Sequence, residues 1–359
     1  MMPAFRLTAS CIWNSFRSSG KRHLLLTGGR GAGKTTLLSQ LFPEQCPGLT
    51  TWAEPGRAVY LKENTTDSVV QVGKFDPSLP GKENRMTLCG EGFRSLGIPA
   101  LERCAVRNEE WVTIDEIGYL ESACPEYQTA LSTLMERKRL AAVVRKQQLP
   151  FLKELLNRED TFVADLDNPF GDVGCVIMAS GLGRRFGGNK LMADFHGKPL
   201  ICGVLDAVQG ICSRQVVVTR HESVAAYCRS RGMDAVLHSL PYRSDTVRLG
   251  LQALGEDLKG CMFCSGDQPL LRRETVAALA LAGVNHNECI WRAAWKDNPG
   301  TPVLFPAWTF SELLTLPEGF GGSCIVKKYP EQVRFVSVQD QCELKDVDTQ
   351  TDLSVLLEQ

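Results

Sequence analysis

Neither sign of charge dominates this 359-residue chain: 40 lysines and arginines face 41 aspartates and glutamates, the formal charge is −1, and no long basic run breaks the balance. That argues against a nucleic-acid groove or an anionic membrane patch and leaves small anionic ligands open. No apolar run approaches the ~18 residues of a membrane span, and no charged start followed by an apolar stretch reads as a secretory leader. The expected location is cytoplasmic, with neither nucleic acid nor membrane as a partner. Close cysteine pairs are scarce although cysteines are not: of 14, only Cys261 and Cys264 are near each other, and no second pair completes a four-ligand zinc set. Cys175, Cys202, Cys212 and Cys289 sit in apolar surroundings, as reduced core thiols do in a chain too long for a disulfide scaffold. A period of roughly 20 to 50 residues and low-complexity tracts are also lacking, which excludes a solenoid or a disordered array.

What is present is a recurrence of short apolar runs, glycine turns and amphipathic stretches, the pattern of strands alternating with helices around a mainly parallel sheet. The length suggests two domains at roughly 150 residues each. Strands are expected over 23–27, 111–114, 139–144, 173–179, 215–219 and 261–265, and helices over 34–41, 127–138, 200–209 and 273–282. The segment DLDNPFGD (165–172) is turn-rich and suits a boundary, so the predicted division is 1–168 and 173–359.

Each half carries a glycine-rich loop after a strand. In the first, GGRGAGKTT (28–36) satisfies the Walker A pattern. Backbone amides around Gly28, Gly31 and Gly33 can cradle phosphates, Lys34 can reach the β and γ oxygens, the Thr35 hydroxyl can ligate Mg²⁺, and Thr36 is expected to bind the nucleotide with them. WVTIDE (111–116) supplies the complementary acids: Asp115 for the Mg²⁺ shell, Glu116 to orient or deprotonate water. In the second, CVIMASGLGRRFGGNK (175–190) lacks the G-K-S/T ending. A wide turn from Ala179 through Ser180, Gly181 and Gly183 could wrap a nucleotide, with Arg184 and Lys190 as cations where pyrophosphate charge develops. Asp267, closing the strand CMFCSGDQPL (261–270), is a natural Mg²⁺ ligand at a carboxyl edge. LKDVDT (344–349) can return a second carboxylate; Asp348 is favoured, and Asp346 is its rival because strand alternation would put both on one face. The helix expected after Pro241 could hold an anion at Arg243 and Ser244. His196 and His238 read as hydrogen-bonded structural residues, since metal-assisted transfer to an ionised phosphate needs no histidine.

The wording of these motifs is more specific than their chemistry. LLLTGGRGAGKTTLL, VGKFD (72–76) and TIDEIGYLES (113–122) resemble the small P-loop nucleoside-triphosphatase family whose Walker B reads DEIG. The resemblance implies a three-layer α/β hydrolase domain of broad nucleotide preference, taking ATP or GTP, with Lys34 and Glu116 catalytic. ASGLGRRFGGNKL, GDQPLL, NPGTPVLFP (298–306), FGGS (320–323) and DVDTQTDL (346–353) resemble the MobA-like nucleotidyltransferases, closest to the molybdenum cofactor cytidylyltransferase branch. That implies a Rossmann-like α/β domain of the nucleotide-diphospho-sugar-transferase type. It also implies transfer of CMP from CTP to molybdopterin with release of pyrophosphate, Lys190, Arg184 and Asp267 being catalytic. CTP is favoured over GTP because the guanylyl branch opens its loop with a double glycine, where this chain has Ala179-Ser180-Gly181, and lacks a glycine before the metal-binding acid. Phe186 and Gln268 stand where the family often has methionine, and neither removes a needed charge. The fusion suggests that hydrolysis gates metal handling or insertion into a molybdenum hydroxylase apoenzyme. Two alternatives are a cofactor carrier switched by hydrolysis and a nucleotidyltransferase for another phosphorylated acceptor.

Overall fold

The computed structural model describes residues 5–42, 46–66, 68–79, 85–255 and 257–358. The chain divides between Pro169 and Phe170, inside the turn-rich segment, into an N-terminal unit (Thr8–Phe16 and Gly20–Pro169) and a C-terminal unit from Phe170 onward. Residues 5–7 and Arg17–Ser19 group with the C-terminal unit. The reason for the first group lies in Phe5: its amide donates to Gly210 O at 3.5 Å, and its ring lies 6.1 Å from that of Phe170 and beneath the Arg273 guanidinium.

The N-terminal unit is built on eight strands: β1 (His23–Thr27), β2 (Gly48–Glu54), β3 (Ala58–Glu63), β4 (Val69–Phe75), β5 (Met86–Leu88), β6 (Trp111–Ile117), β7 (Arg139–Val144) and β8 (Thr161–Asp165), in the order β5-β4-β3-β2-β6-β7-β1-β8. From β2 to β8 neighbours are parallel, whereas β2 to β5 form an antiparallel meander at one side. Four of the seven pairings in this sheet are thus parallel and three antiparallel. β1 is buried along its whole length, as a parallel strand covered by helices on both faces must be. Leu25, Leu49, Phe93, Leu101, Ile114, Tyr127 and Leu131 share one core beside it, each fully buried large side chain contributing about 1.5–3 kcal/mol.

In the C-terminal unit, β9 (Val173–Ala179) is followed by a short ribbon, β10 (Asp194–Phe195) with β11 (Lys198–Pro199). The main sheet adds β12 (Arg214–Thr219), β13 (Asp234–Leu237), β14 (Gly260–Ser265), β15 (Ile290–Trp295), β16 (Asn298–Pro306) and β17 (Val333–Ser337), ordered β13-β12-β9-β14-β16-β15-β17. β13, β12, β9 and β14 are parallel, and β16 runs antiparallel between β14 and β15. Val176, Val216, Val247, Leu251, Phe263 and Phe305 pack under this sheet. Cys261 and Cys264 are buried in β14, and Cys264 Sγ lies 3.6 Å from Cys175 Sγ. Both thus stand as interior thiols.

Candidate functional sites

Both glycine loops leave the carboxyl end of a parallel strand, where open α/β sheets bind ligands. In the N-terminal unit the loop runs from β1 into the helix Lys34–Leu41, with Gly28, Gly31 and Gly33 all in the left-handed region that side chains avoid. Lys34 Nζ donates to the carbonyls of Gly28 (2.9 Å) and Gly29 (2.7 Å). The Thr35 hydroxyl donates to Asp115 Oδ1 at 3.2 Å, uniting the two motifs across the sheet, while Thr36 is exposed one residue further along. Burial pushes the Asp115 carboxyl above its ordinary value, against the pull of Thr35 and Lys34. Burial also lowers Lys34, and Arg145 adds repulsion.

Glu116 and Asp115 are consecutive, so a regular strand would turn them to opposite faces. The β6–β7 register slips there: Asp115 pairs Val143 and Ile117 pairs Val144, leaving Glu116 as a bulge. Such a bulge re-aims a side chain at a strand end; Glu116 forms an ion pair with Arg145, the residue after β7. Asp167, just before the unit boundary, accepts the Gly29 amide with both oxygens (3.0 and 2.9 Å) and pairs with Lys146 at 3.1 Å. Arg145 and Asp167 escape a motif search because their partners lie far away in the chain.

In the C-terminal unit three distant segments meet. The first is the loop after β9. Gly183 takes φ +58°, its carbonyl accepts the amides of Phe186, Gly187 and Gly188, and a Cβ there would stand 2.0 Å from Gly188 O. Only glycine fits this turn, which delivers Lys190 inward while Gly181 and Arg184 stay exposed. Ala179 is buried, its carbonyl accepting from Thr219 Oγ1 at 2.9 Å, and the Gly181 carbonyl meets His221 Nε2 at 2.8 Å. The buried Ser180 hydroxyl donates to Val218 O (3.1 Å) and lies 2.8 Å from His238 Nε2. With the serine proton already used, the histidine is the donor and is Nε2-protonated. Desolvation lowers the His238 pKa, in keeping with a neutral ring. His238 thus holds a loop residue.

The second segment is the end of β14. Asp267 Oδ1 accepts from Ser265 (2.6 Å) and Oδ2 pairs with Lys190 Nζ (2.6 Å). The third is the irregular stretch 345–348. Val347 N donates to Asp267 O (3.0 Å), Gln268 Nε2 donates to the carbonyl of Leu344 just before the stretch (3.1 Å), and Thr301 Oγ1 in turn donates to Gln268 Oε1 (2.9 Å). Gln268, in place of the family's methionine, is therefore a structural clasp. Asp348 pairs with Lys190 (2.9 Å) and with Arg185 (2.8 Å), so Arg185, and not its neighbour Arg184, is the loop arginine on the acids. Lys190 is buried; burial opposes its charge, but Asp267 and Asp348 outweigh that and hold it above its ordinary range. Lys190 in turn holds Asp348 down, whereas desolvation and the charges of Asp267 and Asp348 push Asp346 up to about 6. Asp346 and Asp348 flank a buried Val347 without forming a strand. Ser244 is buried at the start of the helix Arg243–Leu254, and the Arg243 side chain passes Gly321 of the FGGS turn.

A family model for MobA-like NTP transferase domains matches residues 175–333, and one for an NTPase family matches residues 56–169, beginning beyond the glycine loop. The nucleoside-triphosphatase THEP1 of Thermotoga sp. (strain RQ2) is 26% identical over 150 residues, 40% of this chain and 86% of that protein. The 3-deoxy-manno-octulosonate cytidylyltransferase of Neisseria meningitidis serogroup A is 32% identical over 121 residues, 33% of this chain and 48% of the enzyme. The chain thus spans about half the length of that relative. Molybdopterin-guanine dinucleotide biosynthesis protein A from Archaeoglobus fulgidus superposes with a TM-score of 0.42 at 20% identity, over 52% of this chain and 97% of that one. Among the described residues no helix is long and apolar enough to cross a membrane. The chain joins an N-terminal domain of the P-loop NTPase family to a C-terminal MobA-like NTP transferase domain.

Proposed function

We propose that the C-terminal unit transfers CMP from CTP to molybdopterin and that the N-terminal unit hydrolyses a nucleoside triphosphate such as ATP or GTP. The observation that carries the first part is the convergence of Asp267, Asp346 and Asp348 around the buried Lys190, beside a glycine turn. An oxygen of the acceptor's terminal phosphate attacks the α-phosphorus of CTP, the bond from that phosphorus to the bridging oxygen breaks, and its electron pair leaves on pyrophosphate. Lys190 moves from the carboxylates to the departing phosphates, and Arg184 meets them from the loop. Backbone amides from Ala179 to Gly183 hold the nucleotide.

A hard divalent cation fits the oxygen donors at both sites: Thr35 and Asp115 at the first, Asp267 and Asp348 with Asp346 at the second. The raised Asp346 supports this fit, since burial and the neighbouring charges of Asp267 and Asp348 oppose its ionisation and a bound cation would favour it. Mg²⁺ would supply Lewis acidity at the phosphate oxygens. In the N-terminal unit, Gly28, Gly31, Gly33, Lys34, Thr35 and Thr36 cradle the triphosphate, and Glu116 takes the proton of the attacking water. CTP is supported by the loop wording and by the match to a cytidylyltransferase. That match favours one second reading, transfer to a sugar acid. Incubation with Mg²⁺, CTP and either molybdopterin or 3-deoxy-manno-octulosonate separates the two. Pyrophosphate release with molybdopterin alone is expected; release with the sugar acid alone would overturn the acceptor, and equal release from GTP would overturn the base.

A further inference from the structure

We infer that Arg145 is a catalytic residue of the first site: it leaves Glu116 for the γ-phosphate of a bound nucleoside triphosphate and stabilises the charge developing there. This rests on the hydrolytic reading of the N-terminal unit. β7 lies between β1, which feeds the glycine loop, and β6, which carries Asp115 and Glu116. The residue following Val144 therefore emerges at the carboxyl edge between the two motifs. The Arg145 amide donates to Ile117 O (2.9 Å), and the side chain crosses Gly118, where a Cβ would stand 2.9 Å from its Cδ. It passes the Tyr119 ring, 5.8 Å from the centroid, and reaches Glu116.

Stability does not explain this placement. The Arg145 and Glu116 side chains are 39% and 30% exposed, and an exposed pair of this kind is worth about 0–1 kcal/mol. Lys34, on the loop that leaves β1 beside β7, faces the same carboxyl edge. Two cations facing one strand edge repel unless an anion lies between them, and the loop that presents Lys34 is a phosphate cradle. A planar guanidinium suits two phosphate oxygens at once. During hydrolysis water oxygen bonds to the γ-phosphorus and the bond to the β–γ bridging oxygen breaks, its electron pair leaving on the nucleoside diphosphate. The water proton passes to Glu116, which Arg145 has released, and from there to solvent. While Arg145 holds Glu116 the carboxylate is occupied; with the arginine on phosphate its oxygens are open to the attacking water, so water is oriented when nucleotide is bound.

The test uses the full chain with Mg²⁺ and ATP, reading phosphate release and the affinity of a fluorescent ATP analogue. Arg145→Ala is expected to lower kcat about 10³-fold, the lower end of the range for supplied arginines in phosphoryl transfer, with analogue affinity changed by less than about fivefold. Arg145→Lys should regain part of the loss. Millimolar guanidinium should raise the rate of Arg145→Ala but not of wild type, which a merely structural role would not produce. In a Glu116→Gln background, Arg145→Ala should cost further activity. A kcat within about twofold of wild type, a loss confined to affinity, or no further loss behind Glu116→Gln overturns the inference. Absence of phosphate release from the wild-type chain overturns the hydrolytic reading and takes the inference with it.

Discussion

At the residue scale, charge in this protein is set by competition between desolvation and partners. Lys190 keeps its proton because two carboxylates outweigh burial. Glu121 shows the opposite balance. Fully enclosed, with the Gly118 amide donating to it at 2.7 Å, its carboxyl is pushed by burial from the ordinary 4.5 to about 7. The folded state therefore favours the protonated form, and the stabilisation, fully present below pH 4.5, is lost as pH rises through about 7. Glu121→Gln keeps an acceptor for Gly118 without the ionisation. Its melting temperature relative to wild type should rise from pH 5 to about pH 7 and level off above that; a difference constant from pH 5 to pH 7 would refute the assignment. Lys34, Asp115, Lys190 and Asp267 could be singled out in the sequence because each sits in a motif whose chemistry requires it. Arg145, Arg185, His238 and Thr301 could not, since each acts on a partner that only folding brings near.

At the element scale, β1, β7, β9 and the helix Lys34–Leu41 coincide with the expected spans, because their apolar runs are bounded by glycine or charged residues. The β2–β5 meander is not legible in the sequence. Its strands mix buried and exposed positions with Lys62, Lys74 and Glu63, so neither a continuous apolar run nor a clean alternation marks them. The bulge at Glu116 is likewise invisible in sequence, being a matter of register with β7. The loop after β9 yields a sharper forecast. Alanine at Gly183 would need left-handed backbone costing roughly 1–2 kcal/mol and would collide with the Gly188 carbonyl. The turn would open and Lys190 would shift, and a misplacement of about 1 Å can cost about 10²-fold in rate. Gly183→Ala should lose about that much nucleotidyl transfer while ATP hydrolysis stays at the wild-type level. Equal loss of both activities would contradict the separate role given to this loop.

At the scale of the whole molecule, the chain carries two phosphate loops on two units, one ending in G-K-T and one not. In the function proposed here their difference is chemical: the first would use Lys34 and Glu116 for cleavage between the β- and γ-phosphates, the second Lys190 and three aspartates for displacement at the α-phosphorus. The composition allowed small anionic ligands, and the motifs told the two loops apart. The acceptor lies beyond what the motifs spell out, because surfaces such as the one where Arg243 passes Gly321 form only after folding. The most direct test follows CTP labelled at the α- or γ-phosphate in the presence of Mg²⁺ and molybdopterin. Wild type and Lys34→Ala should both place the α-label on the pterin and the γ-label in pyrophosphate, and Lys190→Ala should do neither while still hydrolysing ATP. Gamma-label recovered only as inorganic phosphate with the α-label in CDP, or transfer surviving Lys190→Ala, would contradict the account.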